Sequence, residues 1–267
     1  YAGVIFIMFW GLAPFYWMLV TALRDKRHTF DTTPWPTHVT LENFNDALAT
    51  DKGNNFLGAI GNSLIISLTT TVLAVLVGVF TAYALTRLDF PGKGIITGVI
   101  LAASMFPGIA LVTPLFQLFG DLGWIGTYRA MIIPNISFAL PLTVYTLISF
   151  FQQLPWELEE AARVDGATRG QAFRLVLLPL AAPAIFTTAI IAFITTWNEF
   201  MLARQLSTTA TEPVTVAIAR FSGPSAFEYP YAAIMAAGSL VTVPLIIMVL
   251  IFQRRIVDGL TAGGVKG

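Results

Sequence analysis

Six long apolar runs constrain this chain more than any other feature: residues 1–23, 60–86, 95–119, 129–151, 180–203 and 231–252. Each exceeds the roughly 20 residues that a helix rising about 1.5 Å per residue needs to cross a hydrocarbon core of about 30 Å. In lipid the backbone must bond within one helix or within a closed barrel, and these runs lack barrel-type alternation. The sequence therefore predicts an all-α polytopic membrane protein, with six transmembrane helices in a single domain over 1–267. Composition agrees. Only 11% of residues are charged and 56% are hydrophobic, whereas a soluble domain carries about 25% charged residues. Fifteen basic and fifteen acidic side chains argue against an ordinary soluble enzyme, a disordered chain and a nucleic-acid binder with a basic face.

The first run opens inside hydrophobic sequence, so further residues are expected ahead of Tyr1. With no basic segment or cleavage site before it, a signal peptide is not expected. A polar stretch, 24–56, follows, and the second run closes on Arg87-Leu88-Asp89-Phe90-Pro91-Gly92-Lys93. Pro107-Gly108 and Pro114 are expected to break the third run, as a gate or a kink, and Pro134 and Pro141 to break backbone bonds in the fourth. Counting Lys and Arg does not orient the chain: eight fall on one side and seven on the other.

Catalytic chemistry is poorly supplied. There is no cysteine, and the two histidines, His28 and His38, share one polar stretch. This leaves no thiol nucleophile, thiolate metal site or multi-histidine site. Gly92-Lys93 lacks the upstream glycine of a phosphate loop, Arg87 standing in its place. No cofactor or metal is expected in this chain. Glu199 is the one acid inside an apolar run, and an intramembrane acid is a functional candidate. With Tyr145, Trp197 and Asn198 it offers chemistry suited to a translocation pathway for a hydroxylated solute. Access to headgroups, or pairing with Arg204, explains it equally well. A secondary transporter coupled to ions would favour several such acids.

The most unusual segment is the polar insertion 152–179. Pro155 suits a first helical turn, and Glu157, Glu159 and Glu160 follow where a helix dipole favours negative charge. This helix is expected to run to Asp165 and stop at Gly166. Thr168 then caps a second short helix that passes Phe173 and Leu177 and ends at Pro179. Ala161 and Ala162 leave a smooth surface for another protein, although an amphipathic helix resting on headgroups fits the same spacing.

Glu160-Ala161-Ala162, three residues, Gly166, nine residues, Val176, one residue, then Leu178-Pro179 resembles the EAA loop of ABC importer permeases, with Val176 in place of isoleucine. Leu41-Glu42-Asn43-Phe44, the 87–93 turn, Trp197-Asn198-Glu199-Phe200 and the tail 259–267 are similar to the carbohydrate branch, specifically its maltose-type second permease subunit. The resemblance implies a type I importer permease fold in a bacterial inner (plasma) membrane, with both termini cytoplasmic. It implies three kinds of partner: a homologous permease subunit in a heterodimer, two ATPase subunits that hold ATP and Mg, and an extracytoplasmic sugar-binding protein. It also assigns roles. Glu160, Ala161, Ala162, Asp165, Gly166, Leu178 and Pro179 would form the ATPase-coupling site, and Gly263, Gly264 and Gly267 a tail contact, where the alternative is a frayed terminus. Residues 205–229 would meet the binding protein. The implied cargo is a disaccharide such as trehalose or maltose; a non-sugar solute such as glycerol phosphate is the alternative within the family.

Overall fold

A computed structural model describes residues 1–49, 55–221 and 229–264, the side chains of 254–264 excepted. The helices are α1 (Ala2–Ala22), α2 (Glu42–Leu48), α3 (Phe56–Arg87), α4 (Lys93–Ser104), α5 (Val112–Asp121), α6 (Tyr128–Phe151), α7 (Glu157–Val164), α8 (Arg169–Ala172), α9 (Leu178–Trp197), α10 (Met201–Leu206), α11 (Val214–Ala219) and α12 (Tyr231–Gly264). Among the described residues, five stretches are long and apolar enough to cross a membrane: Ala2–Ala22, Phe56–Arg87, Tyr128–Phe151, Arg169–Trp197 and Tyr231–Gln253. A sixth span exists if the bent pair Lys93–Ser104 and Gly108–Asp121 counts as one.

That bent pair turns through 88°. The break falls at Pro107-Gly108, as expected, because proline disfavours helical geometry in the residue before it. Pro114 breaks nothing. It lies in the first turn of α5, where its missing N–H would have had no helical partner. Pro134 and Pro141 sit inside a continuous α6.

Contacts cluster the chain into two units, 1–63 with 209–248 and 64–208 with 249–267. In the first, buried Arg24 donates to the carbonyls of Asp31 and Thr33 and stacks 5.1 Å above the Trp17 ring. Asn43 donates to Ala22 O (2.9 Å) and Arg24 O (2.6 Å), so α2 closes the end of α1. Lys26 bridges Asp46 and Glu42 at 2.8 and 3.1 Å. The hydrogen bond to Asp46, then that to Glu42, raises the Lys26 pKa above its ordinary 10.5. This contribution is therefore complete at neutral pH and fades only as pH climbs through the raised value. Asn62 donates to Ala210 O and Glu212 O, and Ser63 Oγ accepts from the Val214 N–H, so the start of α3 holds the strand of chain leading into α11.

In the second unit α3, α6 and α9 meet through small residues, Ala74, Ala139 and Ala192, which let backbones approach closely in a membrane. Threonines in this interior bond to their own helices, as Thr143 to Ala139 O and Thr188 to Ala184 O, both at 2.8 Å. A Cβ added at Gly78 would lie 2.6 Å from Thr143 Cγ2. Gly78→Ala is therefore expected to cost about 1–3 kcal/mol by overpacking. Adding Thr143→Ser, which deletes only that methyl, restores the thermal unfolding midpoint measured in detergent.

Candidate coupling site

The 152–179 segment builds a two-helix knob between α6 and α9. Glu157, Glu159 and Glu160 occupy the first turn of α7 and Arg163 its last, matching both ends of the helix dipole. Pro155 stands just ahead of the N-cap, Trp156, rather than inside the first turn. The helix ends in a Schellman motif: the Gly166 N–H donates to Arg163 O (3.1 Å) and the Ala167 N–H to Ala162 O (3.0 Å). Gly166 has φ +91°, a left-handed conformation costly to any residue with a Cβ. An added Cβ would meet nothing within 4 Å, so the demand for glycine comes from the backbone alone. Thr168 forms a reciprocal capping box with Gln171 at the start of α8.

Beyond α8 the structure departs from expectation. The second helix does not end at Pro179. A π turn over Phe173–Leu177 joins α8 to α9, and the apolar helix runs unbroken over Arg169–Trp197. The Leu178 N–H reaches back five residues to Phe173 O, and Pro179 follows in the first turn of α9, where the bonding register has just shifted and a missing donor costs least. Leu178 and Pro179 thus root the knob in a membrane helix.

The two faces of α7 differ. Glu160, Ala161, Arg163, Val164, Asp165 and Gly166 are exposed, and Val164 is an apolar residue 87% open. Ala162 is half-buried. Glu159 turns inward and is only 6% exposed; the Tyr83 hydroxyl donates to its Oε1 at 3.2 Å. One turn beyond Tyr83 on α3, buried Arg87 donates to Phe151 O (3.1 Å) and Leu154 O (2.7 Å) and lies 4.5 Å over the Trp156 ring. These bonds satisfy carbonyls at the end of α6, where a cation also suits the dipole. Tyr83, Arg87 and Glu159 were not among the sequence-derived site residues. The signal lay in the spacing of the glutamates: Glu157 and Glu160, three apart, share one face of the first turn of α7, and Glu159 points away from it.

The model of one family, binding-protein-dependent transport system inner membrane component, matches residues 74–261. The chain belongs to that family. A trehalose transport system permease protein of Mycobacterium tuberculosis is 47% identical over 97% of this chain and 93% of its own length. A trehalose/maltose transport system permease protein of Thermococcus litoralis is 41% identical over 99% of this chain and 95% of its own length. The crystal structure of a bacterial ABC transporter involved in import of the acidic polysaccharide alginate shares the fold. One of its chains matches with TM-score 0.79 at 21% identity, covering 95% of this chain and 94% of that one.

This ABC importer permease is thus a transport subunit of the inner membrane, not an enzyme. Its other sequence candidates are placed as follows. Against the expected run to 203, α9 of the permease stops at Trp197, and the chain turns before α10. Glu199 lies in that turn, where Oε1 accepts from the Leu202 N–H (2.8 Å) and Oε2 from the Ala203 N–H (3.0 Å). Its carboxylate caps α10. Asn198 donates to Ile194 O, Trp197 is buried and stacks on Phe193, and Tyr145 on α6 is half exposed. In the tail, Gly263 and Gly264 form the last turn of α12. Gly267 lies outside the described residues, as do Gly223 and Pro224 of the long outer segment.

Proposed function

We propose that this permease is one half of the pore of an ATP-driven sugar importer, and that α7 is the helix by which a separate ATPase drives it. The observation that carries this reading is the exposed face of α7, with Glu160, Ala161, Val164 and Asp165 presented on a short helix closed at its C-terminus by a Schellman turn and joined through α8 and a π turn to α9. Small side chains let a partner approach closely, and a rigid capped helix transmits rigid-body motion without deforming. The ATPase subunits supply hydrolysis, with ATP and Mg bound there. A homologous permease completes the pore, and an extracytoplasmic binding protein delivers the solute. This arrangement places the 152–179 loop and both termini in the cytoplasm, and 1–267 acts as one permease domain.

The trehalose and maltose systems named among the relatives support a disaccharide as cargo. The 88° break at Pro107-Gly108 is the candidate gate, since irregular backbone at membrane depth belongs beside protein or a cavity. Tyr145, Trp197, Asn198 and Glu199 remain the candidate pathway group, with Glu199 committed first to its cap. Gly263, Gly264 and Gly267 would let the tail approach the ATPases closely.

Because the chain has no cysteine, one introduced thiol reports one place. Ala161→Cys is expected to crosslink to a co-expressed ATPase subunit, while Phe30→Cys, exposed in the polar stretch after α1, does not. No crosslink from Ala161→Cys, or equal crosslinking from both sites, overturns the coupling assignment.

A further inference from the structure

Glu160 and Glu159 are neighbours in sequence with opposite surroundings, and the ATPase contact proposed above uses only the first. The inward carboxylate meets Tyr83, and Tyr83 is the point where the knob touches α3. Its ring centroid lies 4.5 Å from Phe173 in the π turn and 6.5 Å from Phe151 at the end of α6, while its hydroxyl donates to Glu159 of α7. One side chain of α3 therefore contacts the end of α6, the α7 helix and the π turn that leads into α9. The packing around Tyr83 is apolar, with Val79, Ala82, Leu147, Phe151, Phe173 and Leu177 among one buried cluster, while the cationic side chains of Arg87 and Arg169 are near enough to act on it.

A carboxylate in such a place is expensive. Glu159 Oε2 is buried with no hydrogen-bond partner among the described residues, and apolar residues of similar volume commonly replace buried charged groups at no loss of stability. Hydrophobic packing alone, however, would allow α7 to roll about its axis. A directional hydrogen bond fixes one rotation, and that rotation decides whether Glu160 and Asp165 or their neighbours face the partner.

We propose that Glu159 and Tyr83 are a positioning pair. They lock the rotation of α7 against α3, so that a push on the exposed face reaches α3 directly, as well as α6 and α9 through the chain. This rests on reading α7 as the ATPase contact. Movement imposed on the knob then enters three membrane helices together.

The test uses the intact importer in proteoliposomes, with both permeases, the ATPases and the binding protein, and reads solute imported per ATP hydrolysed. Tyr83→Phe deletes only the hydroxyl, and Glu159→Leu deletes the acceptor. Each is expected to lower that ratio about fivefold or more, the worth of one buried hydrogen bond, with ATPase subunits co-purifying as in the wild type. Glu159→Gln keeps an amide oxygen for Tyr83 and is expected to retain the wild-type ratio. Wild-type ratios in Tyr83→Phe and Glu159→Leu overturn the proposal. So does loss of ATPase assembly in Tyr83→Phe, which makes the pair a folding element only. Failure of the coupling reading itself shows differently, as absence of the Ala161→Cys crosslink in the unaltered background.

Discussion

Gly166→Pro is expected to abolish ATP-driven uptake while the chain still inserts in the membrane. The native φ is +91°, and proline holds φ near −65°. The ring also removes the N–H that donates to Arg163 O, so both local features that end α7 fail at once. Gly166→Ala keeps the donor and carries only the left-handed strain, about 1–2 kcal/mol, and is expected to retain partial uptake. The apolar spans lie outside this turn and should insert normally. Membrane fractionation beside solute uptake separates the two effects, and full uptake by Gly166→Pro rules out a rigid coupling turn.

Glu160→Lys is the second large effect. Glu160 is exposed in the first turn of α7, where reversing its charge against the helix dipole costs about 1 kcal/mol. That is too little to unfold a helix held by its C-cap. The expected loss is therefore one of function: on the proposal that Glu160 meets a basic group of the ATPase, uptake falls about tenfold or more as like charges face each other. Glu160→Asp is expected to keep most activity. Equal uptake and equal ATPase stimulation in Glu160→Lys would show that this carboxylate faces no basic group.

What was legible in the sequence was what local chemistry decides. Gly166 could be read as a helix stop, because a left-handed turn needs no tertiary information. Thr168 was equally readable as a cap, since Gln171 stands three residues on. Pro179 misled for the complementary reason. Proline ends a helix by withholding one donor, but a π turn just before it shifts the bonding register, and nothing in the local pattern announces such a turn. Pro114 likewise lost its meaning as a breaker once it fell in a first turn.

The inward side of the knob was hidden because it depends on contacts across the chain. Tyr83 and Glu159 are far apart in sequence and meet only when α3 packs against α7. Glu199 shows the limit of reading an acid by its position in an apolar run. It is held by backbone amides of α10, which only the turn after Trp197 makes available.

The most direct measurement is uptake of a labelled disaccharide into proteoliposomes carrying the complete importer, with ATP supplied inside and the binding protein outside. Trehalose or maltose should enter only when ATP, the ATPases and the binding protein are all present, and ionophores that collapse proton and sodium gradients should not slow it. Uptake by this chain alone, driven by an ion gradient without ATP, would contradict the reading of α7 as a coupling helix.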